Sequence, residues 1–361
     1  MTKSALETPL LAIHKSANAT MGTWFGCALP DRFYGNDWQA EYRAARETVA
    51  LIDKNYRAYL RFTGPDRVRY LNAILTNNIK DLEVGRGVVS LFLNPQGRIQ
   101  AEIETLADAE SLFCISYAMI RETLLPSLDK FIIMDDVTLA DQTEKFGTLA
   151  LEGPKAAAAV QRLTAIDLGS LGELSFHETS VAGIPCRMTK RSPGGVAGGE
   201  FLAAREDLAR LWQTFGEAVS DAGGRAMGYQ ALNALRLEQG VPWFSYDFGD
   251  KQIPHEVGLE HTHISFTKGC YTGQEIVERV RSRGQVNRVR VLLKFDTNEP
   301  SAAGTALLAE GKEVGHVSRA AFSPALNSAI AMAYVRRENS APGEVLSCNN
   351  ASATVVVPPL Q

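Results

Sequence analysis

One octapeptide carries the residue types best suited to covalent chemistry. It runs Lys268-Gly269-Cys270-Tyr271-Thr272-Gly273-Gln274-Glu275 and places a thiol and an ammonium group beside two glycines. The positive end of a helix dipole and a neighbouring cation both favour the thiolate, which is the reactive form of cysteine. Cys270 and Lys268 are therefore the catalytic candidates. The alternative, equally open from local sequence, is that Cys270 is a small buried apolar side chain.

The same octapeptide contains the spacing of a helix start. Thr272 and Glu275 stand three residues apart, and Ile276 and Val277 follow. In a capping box the hydroxyl accepts from the third helical amide while the carboxylate accepts from the cap amide. The sequence predicts a helix from Thr272, with Cys270 two residues before it.

A second candidate group is the carboxylate of Glu238. It falls in the last turn of a helix predicted to run from Tyr229 to Glu238 and to stop at Gly240. A negative charge at the C-terminal end of a helix destabilises the helix by roughly 0.3–1 kcal/mol. A residue kept there despite this cost indicates a functional role for the charge. A carboxylate can accept paired N–H groups from the edge of a heterocycle, as it does from arginine. The alternative is an ion pair with a nearby arginine such as Arg236.

Aromatic residues surround both candidates. Trp243, Tyr246 and Tyr271 could stack on a flat conjugated ligand and are assigned, with Glu238, to ligand binding. Packing in the core is the alternative for all three.

The residues from His255 to Cys270 include the one cluster with metal-ligand types. Their order fits neither the H-E-x-x-H motif nor a paired C-x-x-C motif, so we expect no metal site. A Cys270 dyad with His261 or His263 remains open, because sequence does not show which side chains meet.

These groups need a scaffold, and the pattern of the chain indicates an α+β protein of several domains. Ile99, Ala101 and Ile103 alternate with polar residues, and the turn 94–97 joins them to a strand before it, which predicts a hairpin. The order strand, Gly-Pro, helix occurs at residues 59–75 and again at 148–163. The two segments are either duplicated units or a chance recurrence of a common junction.

Three regions follow from this pattern. Residues 1–37 show neither a consistent helix pattern nor a consistent strand pattern and are expected to be irregular. Residues 38–285 form the main α+β region. From Arg288 onward short alternating strands and turns predict a small β-barrel, assigned to residues 286–361.

Composition excludes several classes of protein. The formal net charge is −4, so no global basic field points to nucleic acid. The five cysteines are odd in number and widely spaced, as in a reduced cytoplasmic protein. No run approaches the ~20 apolar residues of a membrane helix, and we expect no membrane partner.

The octapeptide resembles the K-G-C-Y-x-G-Q-E signature of the YgfZ family, folate-binding proteins related to the T-protein of the glycine cleavage system, which is an aminomethyltransferase. The resemblance implies a ring of two α/β subdomains, a C-terminal β-barrel and non-covalently bound tetrahydrofolate. It implies a role in iron–sulfur cluster assembly or repair, with iron–sulfur client or assembly proteins as partners and tRNA modification through those clients. It also implies that Glu238 holds the pterin and that Cys270 is the signature thiol. Further segments that resemble the family are 70–78, 151–154, 236–240, 315–318 and 331–335.

One departure from the T-protein pattern bears on activity. T-proteins have two aspartates after a Gly-Gly-Ile-Ile turn, whereas this chain has Gly97-Arg98-Ile99-Gln100-Ala101-Glu102. Ala101 replaces the first acid, and in a regular strand Glu102 faces the opposite side. The expected function is therefore a folate-binding accessory protein, and the alternative is a folate-dependent aminomethyltransferase or demethylase.

Overall fold

The computed structural model describes residues 5–35, 37–191 and 197–360. Its α-helices are α1 Leu11–Ser16, α2 Trp38–Glu47, α3 Arg67–Ile74, α4 Arg121–Asp129, α5 Ala156–Thr164, α6 Leu208–Asp221, α7 Tyr229–Glu238, α8 Pro254–Val257, α9 Glu260–His263 and α10 Gln274–Arg283. Its strands are β1 Leu6–Glu7, β2 Thr20–Trp24, β3 Cys27–Arg32, β4 Ala50–Asp53, β5 Arg57–Thr63, β6 Gly87–Leu93, β7 Ile99–Ala107, β8 Leu112–Tyr117, β9 Thr138–Asp141, β10 Phe146–Glu152, β11 Phe176–Val181, β12 Ile184–Lys190, β13 Gly198–Ala204, β14 Arg225–Ala226, β15 Arg288–Phe295, β16 Ala306–Ala309, β17 Lys312–Ser323, β18 Ser328–Arg336, β19 Val345–Cys348 and β20 Ala351–Val356.

Residues 5–35 contain a helix and three strands, which corrects the expectation of an irregular segment for the described part of 1–37. Its strands form a sheet in the order β1-β3-β2, with α1 between the first two in sequence. Phe25 and Gly26 join β2 to β3 with φ of 50° and 72°. Two consecutive positive φ values are typical of the type I′ hairpin turn. Gly26 therefore turns the chain.

Two antiparallel-rich sheets with helices form the main α+β region, as predicted. One has the order β6-β7-β8-β5-β9, and the other has the order β11-β12-β13-β10-β4-β14. Each strand–Gly–Pro–helix unit contributes to a different sheet, with α3 following β5 and α5 following β10. Separate apolar clusters lie on these sheets, one against α3 and α4 and one against α5 and α6.

The predicted hairpin of β6 and β7 is present, but it is not a regular ladder. Phe92 pairs with Ala101 and Leu93 pairs with Ile99, so Gln100 is an extra residue in a β-bulge. A bulge residue changes which face the following side chains point to. Ala101 packs with Phe92 in the cluster beside α3, whereas Ile99 packs with Leu93 on the other face. The prediction that Ile99 and Ala101 share one face is wrong for this reason.

The C-terminal region is a closed six-stranded barrel in the order β15-β18-β17-β16-β19-β20. Small and branched side chains such as Ala331, Ala333 and Val335 fill its interior. The alternating residues, among them Ile330 and Met332, face outward and pack against Leu237 of α7. Because α7 leads directly into the loop 239–253, this packing fixes that loop against the barrel. No helix in the described part of the chain is both long and apolar enough to cross a membrane.

Candidate functional site

A cavity of about 640 Å³ lies between the loop after α7, strand β7 and the outer face of the barrel. Its walls combine aromatic rings with hydroxyl, amide and carboxylate groups. The lining residues are Gln100, Ile120, Thr123, Phe244 to Gln252, Ala303, Gly304, His316, Val317, Ser318 and Tyr334.

The carboxylate of Asp247 holds the cavity wall in place. It is buried and accepts hydrogen bonds from the Trp243 amide at 2.8 Å, the Ser318 hydroxyl at 2.8 Å and the guanidinium of Arg236. These donors come from the loop, the barrel and helix α7. Arg236 therefore pairs with Asp247, and the ion pair with an arginine that was the alternative for Glu238 is made by Arg46 instead.

The three aromatic candidates occupy different surroundings. Tyr246 lines the cavity, and its hydroxyl accepts from the Phe25 amide at 3.0 Å. Trp243 is buried behind the cavity wall, with the Arg236 guanidinium 4.6 Å from its ring centre. Tyr271 is buried in the apolar cluster with Ile99 and is not among the residues that line the cavity. The structure thus brings only Tyr246 to the cavity.

Glu238 is completely buried, and protein groups already occupy its carboxylate. It accepts from the Tyr42 hydroxyl at 2.8 and 2.9 Å, from Arg46 at 2.9 Å and from the Ser323 hydroxyl at 2.5 Å. Arg46 compensates the charge that the helix end disfavours. A pterin could reach this carboxylate only by replacing one of these donors, so the role of Glu238 in pterin binding stays a prediction.

Lys268 closes the end of helix α3. Its Nζ donates to the carbonyl oxygens of Asn72 and Leu75 at 2.5 Å and of Asn77 at 3.0 Å. Burial lowers the pKa of Lys268 to about 8, so the ammonium remains charged at pH 7. Three carbonyl acceptors match its three N–H donors, which explains the lysine structurally. Cys270 is exposed, which favours the reactive alternative over the buried one.

The predicted capping box is absent. Helix α10 begins at Gln274, its cap is Gly273 with φ of 83°, and no side chain bonds the cap. Glu275 pairs with Arg279 at 2.7 Å instead. A Cβ atom on Gly273 would lie 2.6 Å from the Asn94 carbonyl oxygen, so packing on the hairpin turn decides where this helix starts.

The sequence analysis placed Glu102 on the face opposite Ala101 but did not include its carboxylate among the candidate site residues. In the ladder Glu102 pairs with Leu91, and the bulge places it on the face that carries Ile99, opposite Ala101. It accepts from Tyr117 Oη at 2.7 Å and is bonded to His263 Nε2 at 3.0 Å. Burial raises its pKa, but the hydrogen bonds from His263 and Tyr117 outweigh burial and the net pKa is lowered.

Glu102 reaches the cavity wall through one aromatic ring. The Tyr117 ring stacks on Phe244 with centroids 4.9 Å apart, and Phe244 lines the cavity. His263 Nδ1 lies 2.7 Å from the Thr262 hydroxyl, so both ring nitrogens are engaged. No local signal marks the pair, because Glu102 and His263 are 161 residues apart. Among the described residues no group of three or more His, Cys, Asp or Glu could hold a metal ion.

The chain is thus a two-domain protein, in which a mixed α+β N-terminal region joins a closed C-terminal barrel and a polar and aromatic cavity lies between them. Residues 10–268 match the GCVT N-terminal domain, and residues 288–360 match the glycine cleavage T-protein C-terminal barrel domain. The chain belongs to this glycine cleavage T-protein family.

Proteins similar to this chain include several named aminomethyltransferase. An aminomethyltransferase of Streptomyces avermitilis is 28% identical over 341 residues, covering 93% of this chain and 91% of the relative. An aminomethyltransferase of Streptomyces coelicolor is 29% identical over 344 residues, covering 93% and 91%. The crystal structure of aminomethyltransferase T from Bartonella henselae covers 99% of this chain and 98% of its own, with a TM-score of 0.88 and 21% identity, which shows the shared fold.

Proposed function

We propose that this protein is a tetrahydrofolate-dependent one-carbon transferase of the aminomethyltransferase type. The observation that carries the proposal is a cavity of about 640 Å³, between the two matched domains, in a chain similar to aminomethyltransferases over most of its length. Pockets of about 300–1,000 Å³ are typical for small-molecule ligands. This corrects the order of our expectations, because the reported relatives support the transferase alternative over the accessory protein.

The cavity fits a flat, polar heterocycle. Phe244 and Tyr246 offer aromatic faces for stacking. The Tyr334 hydroxyl is buried and has no hydrogen-bond partner among the described residues, although Tyr334 lines the cavity. A buried hydroxyl without a partner is costly, and a ligand acceptor would relieve that cost. When bound, tetrahydrofolate would supply the nitrogen atoms that take up the one-carbon unit.

Glu102 supplies the acid–base group that Ala101 cannot. In the transfer, the bond between the donor's CH₂ group and its carrier would break, and the carrier would leave with the electron pair. The two N–H protons of tetrahydrofolate would pass to the departing amine, so that the products are methylene-tetrahydrofolate, ammonium and the free carrier. An acid–base group must move those protons. Glu102 and His263 form a carboxylate–imidazole pair, and the Tyr117 ring lies between this pair and the cavity wall at Phe244. Because the bulge turns Glu102 toward this wall, the missing acid at position 101 does not exclude transfer.

The test combines binding with turnover. Tetrahydrofolate is titrated calorimetrically into the full chain, and ammonia and methylene-tetrahydrofolate are then measured with an aminomethyl donor. Glu102→Gln should lower turnover at least ~100-fold, as expected for loss of an acid–base group, while folate affinity changes little. Glu83→Gln, on the exposed surface, is the control and should turn over normally. A folded protein that does not bind tetrahydrofolate would refute the proposal.

The second candidate is the folate-binding accessory protein of the YgfZ type. Its support is that Cys270 is exposed whereas Cys27, Cys114, Cys186 and Cys348 are buried, which leaves the signature thiol accessible to a partner. Its iron–sulfur and tRNA components have no support from the reported relatives. Folate binding without any one-carbon product, together with loss of iron–sulfur enzyme activities in a Cys270→Ala host, would favour it over the transferase.

A further inference from the structure

An arginine of the barrel lies directly behind one aromatic ring of the cavity wall. The guanidinium carbon of Arg319 is 4.7 Å from the ring centre of Trp24 and 4.8 Å from that of Tyr246. Tyr246 lines the cavity, whereas Arg319 and Trp24 are not among the lining residues. Any effect of Arg319 on a ligand in the cavity must therefore pass through the ring of Tyr246.

A β-bulge in β17 places Arg319 at this position. Val317 and Arg319 pair with neighbouring residues of β18, so Ser318 is an extra residue in the ladder. Val317 lies in the barrel interior, whereas Met332, the strand partner of Arg319, packs on the outer face. In a regular strand Arg319 would share the interior face with Val317, where a guanidinium would lose its water. The bulge turns Arg319 outward, onto the ring of Tyr246.

The ring of Tyr246 is held by two separate parts of the protein. The N-terminal hairpin supplies the Phe25 amide, which donates to the Tyr246 hydroxyl at 3.0 Å, and the Trp24 ring, whose centre is 5.7 Å from that of Tyr246. The barrel supplies Arg319, which is half-buried. Within residues 5–35, 37–191 and 197–360, no carboxylate forms an ion pair with Arg319, so its position over the two rings is not a by-product of such a pair.

The contact between Arg319 and Tyr246 is electrostatically favourable. A guanidinium within about 6 Å of an aromatic ring centre is attracted by the negative face of the ring, and a planar guanidinium also stacks on it. Burial raises the pKa of the Tyr246 phenol, and the Phe25 amide and the charge of Arg319 oppose that rise. The cation therefore stabilises the ring in the place where it forms part of the cavity wall.

We propose that Arg319 is a positioning residue for ligand binding, because its guanidinium holds the Tyr246 ring in the orientation in which that ring stacks on the heterocycle in the cavity. This inference rests on the proposed function, since it takes the ligand to be tetrahydrofolate. Arg319 itself does not touch the ligand. The role of the N-terminal hairpin follows from the same contacts, because Trp24 and Phe25 support the ring that Arg319 covers.

The first measurement is the affinity for tetrahydrofolate, by calorimetric titration into the full chain. Arg319→Gln should bind about threefold to tenfold more weakly, because the Tyr246 ring loses its cation–π contact. Arg319→Lys keeps the charge and should recover part of this loss. The matched control is Arg187→Gln on β12, since Arg187 lies over the Phe176 ring at 4.4 Å and is not among the residues that line the cavity. That variant should be less stable but should keep the wild-type affinity.

The second measurement asks whether Arg319 acts through Tyr246. Tyr246→Leu alone should weaken tetrahydrofolate binding at least about fivefold, through loss of the stacking face. In the Tyr246→Leu protein, Arg319→Gln should cause no further loss, because the ring that it positions is gone. An arginine that served only general stability would not show this dependence on residue 246.

A ligand-free measurement uses the same four proteins. Urea denaturation of the wild type, the two single variants and the double variant forms a double-mutant cycle. The two substitutions should couple by about twofold to fivefold in the unfolding equilibrium constant, the range expected for a cation–π pair.

The outcomes separate the two proposals. If the folded wild-type protein does not bind tetrahydrofolate, the proposed function fails, and the urea cycle alone decides whether Arg319 holds Tyr246; no measurable coupling refutes it. If tetrahydrofolate binds and Arg319→Gln keeps the wild-type affinity, the proposed function stands and the positioning role is refuted. Additive losses of affinity in the double variant also refute the positioning role. Should Arg319→Gln not fold, Arg319→Met replaces it under the same criteria.

Discussion

The hydroxyl of Tyr42 lies 2.8 Å from one carboxylate oxygen of Glu238 and 2.9 Å from the other. These residues are 196 positions apart and join helix α2 to the end of α7. A completely buried carboxylate needs such hydrogen-bond donors, because it has lost its contacts with water. The contact therefore helps to hold α7 in place, and α7 is the helix that leads into the cavity loop.

Removing this donor should destabilise the protein. Tyr42→Phe should lower the free energy of unfolding by about 1.5–3 kcal/mol, the usual range for a hydrogen bond to a charged group. Urea denaturation measures the change. Tyr34→Phe, at a tyrosine 53% exposed, is the control and should stay within about 0.5 kcal/mol. If Glu238 also holds the pterin, Glu238→Gln should weaken tetrahydrofolate binding; unchanged affinity would end that role.

The two glycines of the octapeptide should differ sharply on substitution. Gly273→Ala places a Cβ 2.6 Å from the Asn94 carbonyl oxygen at φ of 83°, so we expect a loss of about 2–4 kcal/mol of unfolding free energy. Gly269→Ala meets no atom within 4 Å and should stay within about 0.5 kcal/mol. Thermal or urea unfolding of both variants provides the comparison. Equal stabilities would contradict the packing of α10 on the hairpin turn.

Restoring an aspartate at position 101 should not restore the family's acid. Ala101 is completely buried in an apolar cluster on the face of β7 away from Glu102. Ala101→Asp would bury an unpaired charge and should cost about 3–5 kcal/mol. Gln100→Asp, one residue earlier on the cavity wall, is the control and should be much milder. A stable Ala101→Asp variant with raised turnover would contradict the bulge at Gln100 and the orientation of residue 101 that follows from it.

The five cysteines should differ in reactivity. Burial raises the pKa of the thiols of Cys27 and Cys114 to about 12 and of Cys186 to about 11, so these remain protonated and shielded at pH 8. Cys270 is exposed. Iodoacetamide should therefore modify Cys270 first in the native protein, as peptide mass spectrometry would show. Cys270→Ser should abolish the fast phase, and early labelling of a buried cysteine would argue against this arrangement.

The buried carboxylate of Glu41 should make stability depend on pH. Burial raises its pKa to about 7, although it accepts from the amides of Phe33 at 2.6 Å and Gly228 at 2.7 Å. Since the unfolded chain has the lower pKa, the native state binds more protons between pH 4.5 and 7, and stability falls as pH rises through this window. We expect a loss of about 2–3 kcal/mol between pH 5 and 8.

Glu41→Gln isolates that contribution. The amide does not titrate, so the difference in unfolding free energy between the two proteins should change across pH 5–8. Urea denaturation at several pH values in this range measures the difference. A difference that stays constant with pH would contradict the raised pKa.

The sequence by itself determined the elements whose signals are local. The hairpin turn 94–97 was predicted from its Asn, Pro and Gly, and the Gly97 amide donates to the Asn94 carbonyl oxygen at 2.9 Å as expected. The C-terminal barrel was predicted from alternation with a period of two. Such patterns report which face of a short segment is buried, and this information lies within a few residues.

Only the tertiary structure decided which side chains meet. The extra residue Gln100 puts Ala101 and Glu102 on the opposite faces from those they would have in a regular strand continuing from Ile99. A pattern of alternating residues does not reveal such a bulge. Thr272 and Glu275 have the spacing of a capping box, but close packing of Gly273 against the hairpin turn sets the helix start. Lys268 acquired its partners from residues more than 190 positions away. Contacts at such separations depend on how whole elements pack, so local residue preferences do not determine them.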